Sequence, residues 1–185
     1  MKLNKIFPLF LYLLSFLILG INDGHVSGNT NDIPPPFEEI YPEIGYKSVD
    51  AAVDDFEQHF NQELMLPIRV PPISFTHYWG RFSDLDGEAN DTLEVTFISE
   101  HFPNNHFKID VRPIQHKIPF EKYKSKEIKL KNGNNAIYTG DLFLGFKLLI
   151  FETDHWQYVF SVDEDVSDEV TPEILVQIAN SIDSK

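Results

Sequence analysis

The chain has 185 residues, no cysteine, 15 Lys and Arg against 29 Asp and Glu, and 42% hydrophobic residues. That length supports one compact domain, and the missing thiol excludes disulfides, thiolate nucleophiles, cysteine-based zinc sites and lipid-modified cysteine. A formal charge of −14 argues against nucleic acid as a partner, and 14% aromatics is too many for a disordered acidic chain.

Lys2 and Lys5 precede an apolar run, Ile6 to Ile21, interrupted only by Pro8 and Ser15, and small residues follow at Val26-Ser27-Gly28. A basic, then apolar, then small-residue order describes a secretory signal peptide over residues 1–28. The run is shorter than the ~20 residues of a comfortable membrane span. The expected location is therefore secreted or on the extracellular face of the cell membrane, with membrane contact only through an uncleaved leader. Ile18-Leu19-Gly20-Ile21 resembles a lipoprotein lipobox with isoleucine in place of the acylated cysteine, so a thioether anchor is excluded. Residues 29–45, with Pro34-Pro35-Pro36 and Pro42, read as a Pro-rich extended linker. One domain is expected over residues 46–185.

Ser48 is a good N-cap for a helix from Val49 to Glu63, with Val49, Ala52, Val53, Phe56 and Phe60 on one face. Leu64 to Pro72, with three prolines, predicts an extended connection. Strands are predicted over Phe75–Phe82, Thr92–Ile98 and Phe107–Arg112. In the last two, apolar residues alternate with charged or polar ones, which describes a sheet with one packed and one wetted face. Asn132-Gly133 marks a hairpin between Ile128–Lys131 and Asn134–Thr139. Phe146–Phe151 reads as a central strand, Trp156–Phe160 alternates again, and Thr171-Pro172-Glu173 opens a final helix. The pattern is an α+β domain: a curved, mostly antiparallel sheet of six or seven strands flanked by an N-terminal and a C-terminal helix.

The last third carries Gly133-Asn134-Asn135-Ala136-Ile137-Tyr138, Lys147-Leu148-Leu149-Ile150-Phe151, Trp156-Gln157-Tyr158-Val159-Phe160 and Ile178-Ala179-Asn180-Ser181-Ile182 in that order. It resembles a domain of unknown function in Gram-positive envelope lipoproteins and anti-sigma-factor ectodomains, similar in outline to LolA-like lipoprotein carriers. The resemblance covers roughly residues 126–183 and brings no catalytic residue. It implies an apolar groove between a curved sheet and its helices. Trp79, Trp156 and Tyr158 are the ligand-binding candidates there, in a mature chain rich in Phe, Tyr and Trp.

Six lysines between Lys117 and Lys131 make a locally basic strip in an otherwise acidic chain. Lys122, Lys124, Lys126 and Lys129 are its candidates for contact with an anionic partner. The Asp84–Asp91 loop clusters oxygen ligands, but Val95 stands where a calcium loop needs its bidentate Glu, so a hairpin turn is the better reading. No nucleophile elbow, phosphate loop or dinucleotide fingerprint is present. No catalytic residue, cofactor or metal is assigned. The expected function is a non-catalytic binding domain at the cell envelope, holding an apolar or lipid ligand or an unknown envelope protein. The alternatives are a protein-interaction or inhibitory domain acting through its charged surface, and an extracellular cation-assisted hydrolase.

Overall fold

Side-chain alternation along seven segments builds one open antiparallel sheet with the strand order β1-β2-β3-β7-β6-β5-β4. The computed structural model describes residues 34–85, 87–123, 126–140 and 145–182, with Glu88 as backbone only. The leader over residues 1–28 and Lys124 lie outside the described residues. The strands are β1 His77–Ser83, β2 Thr92–Ile98, β3 His106–Pro113, β4 Lys126–Lys129, β5 Asn135–Thr139, β6 Phe146–Glu152 and β7 Trp156–Asp163. Two meanders, β1 to β3 and β4 to β7, join through the antiparallel β3–β7 pair, in which Phe107 faces Val162 and Val111 faces Tyr158. The hairpin between β4 and β5 closes through Leu130, whose N–H donates to the Asn134 carbonyl, and Gly133 takes φ +92°.

One sheet face is sealed. Leu93 and Val95 of β2, Phe107, Ile109 and Val111 of β3, and Trp156, Tyr158, Phe160 and Val162 of β7 all point to it and are buried. Helix α2 (Val49–Phe60) lies over this face at β1 and β2, burying Ala52 and Phe56. Ser48 caps it as expected, its Oγ accepting from the Ala51 N–H at 3.3 Å, and Asn61 ends it in the left-handed conformation. The approach is close: a Cβ on Gly80 would lie 2.7 Å from the Ala52 Cβ. Helix α3 (Pro172–Ala179) covers β6 and buries Leu175 and Ile178. Residues 63–66 fill the space beside α2, with Leu64 buried and Met65 and Leu66 packed on the core.

The second face is treated differently. Where an extended linker is expected over residues 29–45, helix α1 (Phe37–Glu43) forms instead, and the compact unit begins at Pro35. The reason is local. Pro36 precedes the first turn, Glu38 and Glu39 sit at its positive end, and Phe37 and Tyr41 stack edge to face one turn apart at 5.6 Å. Lys47 then bridges to β1, its N–H donating to the Gly80 carbonyl at 2.8 Å and its carbonyl accepting from the Gly80 N–H at 2.9 Å. At the other side of this face, the crossing segment from β3 to β4 passes over β7 and β6. There Phe120 packs with Leu148, Ile150 and Val159 in a second, smaller apolar cluster.

Candidate functional site

The three aromatic ligand candidates are not brought together. Trp156 and Tyr158 point into the sealed core, 4% and 1% exposed. Trp156 Nε1–H donates to the Glu63 carbonyl at 3.1 Å and the Tyr158 hydroxyl to the Met65 carbonyl at 2.9 Å. The Phe56 ring centroid lies 4.8 Å from that of Trp156. The expected groove between sheet and helices is therefore filled at these two residues by Phe56 and residues 63–65. Trp79 faces the opposite side, stacked on Tyr41 at 5.9 Å beneath α1. Its indole Nε1 is buried without a hydrogen-bond partner.

The lysine candidates also disperse. Lys126 and Lys129 both belong to β4, the last strand of the sheet, but register places them on opposite faces. Lys126 reaches Glu173 of α3 at 3.6 Å. Lys122 lies 4.7 Å from the centre of the Tyr123 ring.

The concavity opens on the second face, between the α1 side and the crossing segment. It is a trough of about 580 Å³, within the ~300–1,000 Å³ range of small-molecule sites. Its floor is the outward set of β3, namely His106, Lys108, Asp110 and Arg112. Ser161 and Val159 of β7 lie beside them, and Phe146 and Leu148 of β6 continue the floor. Ile118 and Phe120 of the crossing segment form the far wall. That segment is pinned by Gln157, 1% exposed, whose Oε1 accepts from the Ile118 N–H at 2.9 Å and whose Nε2 donates to the Ile118 carbonyl at 3.0 Å. A smaller cavity of about 410 Å³ lies beyond Phe120, walled by Glu121, Glu127, Glu152 and Asp154, with no basic side chain among the described residues.

Charges on the trough floor and beside it on β1 and β2 are ordered by strand register. Arg81, Glu94 and Asp110 stand side by side across β1, β2 and β3. Lys108 Nζ lies 3.2 Å from Asp110 Oδ2 and 3.5 Å from Glu94 Oε2, and Arg81 Nη2 lies 3.6 Å from the same Glu94 oxygen. The Tyr46 hydroxyl donates to Glu94, and the Arg81 guanidinium sits 4.4 Å above the Tyr46 ring. Burial pushes the Asp110 carboxyl up against the opposing pull of Lys108. Burial alone would lower the Lys108 ammonium, but Asp110 and Glu94 together raise it. Burial, helped by Lys108, lowers His106. Its Nε2 lies 3.2 Å from the Thr96 hydroxyl. Arg112 stands apart at the end of β3, opposite Gln157, and its Nε is buried without a hydrogen-bond partner.

Among the described residues, two groups of donors elsewhere lie close enough to share a cation: Glu38, His77 and Glu100, and His59, Asp84 and Asp91. In both, the imidazole bridges elements by contact with a carboxylate. His77 meets Glu38 at 2.9 Å and ties α1 to β1, while His59 of α2 meets the buried Asp91 at 3.0 Å. Asp91 also accepts from the Leu85 N–H at 3.0 Å, which ties Leu85 to the start of β2 beside α2.

Among the described residues no helix is long and apolar enough to cross a membrane. The chain matches no protein-family model, no curated protein and no solved structure.

Proposed function

We propose that the chain is an exported, non-catalytic binding domain of the cell envelope that holds an apolar or lipid ligand in the trough on the second sheet face. One observation carries the reading. Phe120, Phe146, Leu148 and Val159 form an apolar wall outside the main core, with a cavity rather than a helix against it. The leader pattern over residues 1–28 and the resemblance of the last third to LolA-like carriers support the envelope and the lipid class. The ligand position differs from the one the resemblance implies, because the helix-covered face is packed around Trp156 and Tyr158.

The charged-surface reading draws less support, since Lys122, Lys126 and Lys129 do not share one patch. A hydrolase would use two convergent acids, and Glu94 and Asp110 do converge. Lys108 stands between them as their common ion-pair partner, an arrangement suited to fixing a charged floor rather than to passing protons.

Native mass spectrometry of protein purified from its own host tests the proposal. The expected result is a co-purified lipid-sized adduct that is lost in Leu148→Glu. A chain that carries no adduct and takes up no apolar fluorescent probe would overturn it.

A further inference from the structure

Resting on the trough reading above, we infer that the ligand is a single-chain amphiphile with a carboxylate head, the head on Arg112 and the chain along Phe120 and Leu148. The argument starts from the pairing of charges. Of the charged residues that line the trough, Lys108 and Arg112 oppose Asp110, so the floor carries one surplus positive charge in a strongly acidic chain. Lys108 is engaged by Asp110 and Glu94, and among the described residues Arg112 has no ion pair beyond its through-space attraction to Asp110. The Arg112 guanidinium lines the trough without a carboxylate of its own, and a ligand carboxylate is its geometric complement.

The position of Arg112 also orients the ligand. It occupies one end of the outward set of β3, and His106, its ring 5.9 Å from that of Phe146, occupies the other. Six residues of strand separate the two ends, about 20 Å of floor at ~3.3 Å per residue. The wall alongside is apolar, from Ile118 and Phe120 to Leu148 and Phe146. A head held at Arg112 therefore lays its chain along the wall. The charge count selects a monoanion. A phosphate dianion would exceed the single surplus charge and face Asp110 at close range, and a neutral head would leave Arg112 unpaired.

The test is calorimetric titration of the full chain with laurate, dodecanol and dodecyl phosphate, on the unaltered protein, on Arg112→Gln and on Arg112→Lys. Laurate should bind at least about tenfold tighter than dodecanol, the span of one charge-assisted hydrogen bond. Arg112→Gln should erase that difference while keeping dodecanol affinity within about twofold, which also reports an intact trough, and Arg112→Lys should retain part of it. Equal binding of laurate and dodecanol, a preference surviving in Arg112→Gln, or tighter binding of dodecyl phosphate would overturn the carboxylate head and leave the trough reading standing. Failure to bind any of the three would overturn both.

Discussion

At the scale of single residues, the outward set of β3 shows how much chemistry alternation hides. The sequence places Lys108, Asp110 and Arg112 opposite Phe107, Ile109 and Val111, and that assignment holds in the strand register. Alternation says only that these side chains leave the core. It does not say whether they meet water or the floor of a cavity, because that depends on α1 and Phe120, which lie far away in sequence. Trp156 and Tyr158 mislead for the complementary reason: aromatic residues on the packed face look the same in sequence whether they line a void or fill one. His106 yields a prediction at this scale. Its folded value lies below the ordinary imidazole 6.5 because burial disfavours the cation. Above that pH both folded and unfolded states are neutral and nothing is lost. Below it the unfolded chain takes up a proton that the folded one resists, so stability falls as pH drops, by at most about 1.4 kcal/mol per unit. Urea unfolding at pH 7.5 and 5.5 should show this loss, and His106→Gln should flatten part of it; an unchanged slope in the variant would assign the pH response elsewhere.

At the scale of elements, local signals were strong where chain neighbours decide the outcome. Strand β2 matches its predicted bounds, Ser48 caps α2, and Pro172 opens α3. Helix α1 was missed because three consecutive prolines outweighed the Phe37–Tyr41 spacing, and its docking partner Trp79 lies in another element. The crossing segment is the other element no local pattern announces. It is held over the sheet by the two hydrogen bonds exchanged between Gln157 and the Ile118 backbone. Gln157→Leu fills similar space but leaves both backbone groups unpaired, which should cost roughly 1–3 kcal/mol. Loosening this wall should also weaken ligand uptake, because Phe120 follows Ile118 by two residues. Thermal unfolding and probe binding on the same sample would measure both effects. A stable variant with full uptake would show that Phe120 holds its own place.

At the scale of the whole molecule, the two meanders follow from hairpins, but the β3–β7 join does not, since strand pairing across a long sequence gap leaves no mark on either strand. That join makes the trough, because it sets the charged residues of β3 beside the apolar ones of β7 and β6. It also decides which strands finish the sheet. One is β1, closed by Lys47; the other is β4, with the sequence Lys126-Glu127-Ile128-Lys129. A terminal ladder of free amide and carbonyl groups can recruit a second copy and template aggregation, and lysine is a common guard against it. Two of the residues first read as bait for a partner thus gain an opposite meaning, as repellents. Replacing Lys126 and Lys129 together with threonine should raise self-association in light scattering above that of the unaltered protein, and an unchanged size distribution would remove that meaning. On this view, four residues of short, cationic terminal strand discourage edge-to-edge pairing between copies.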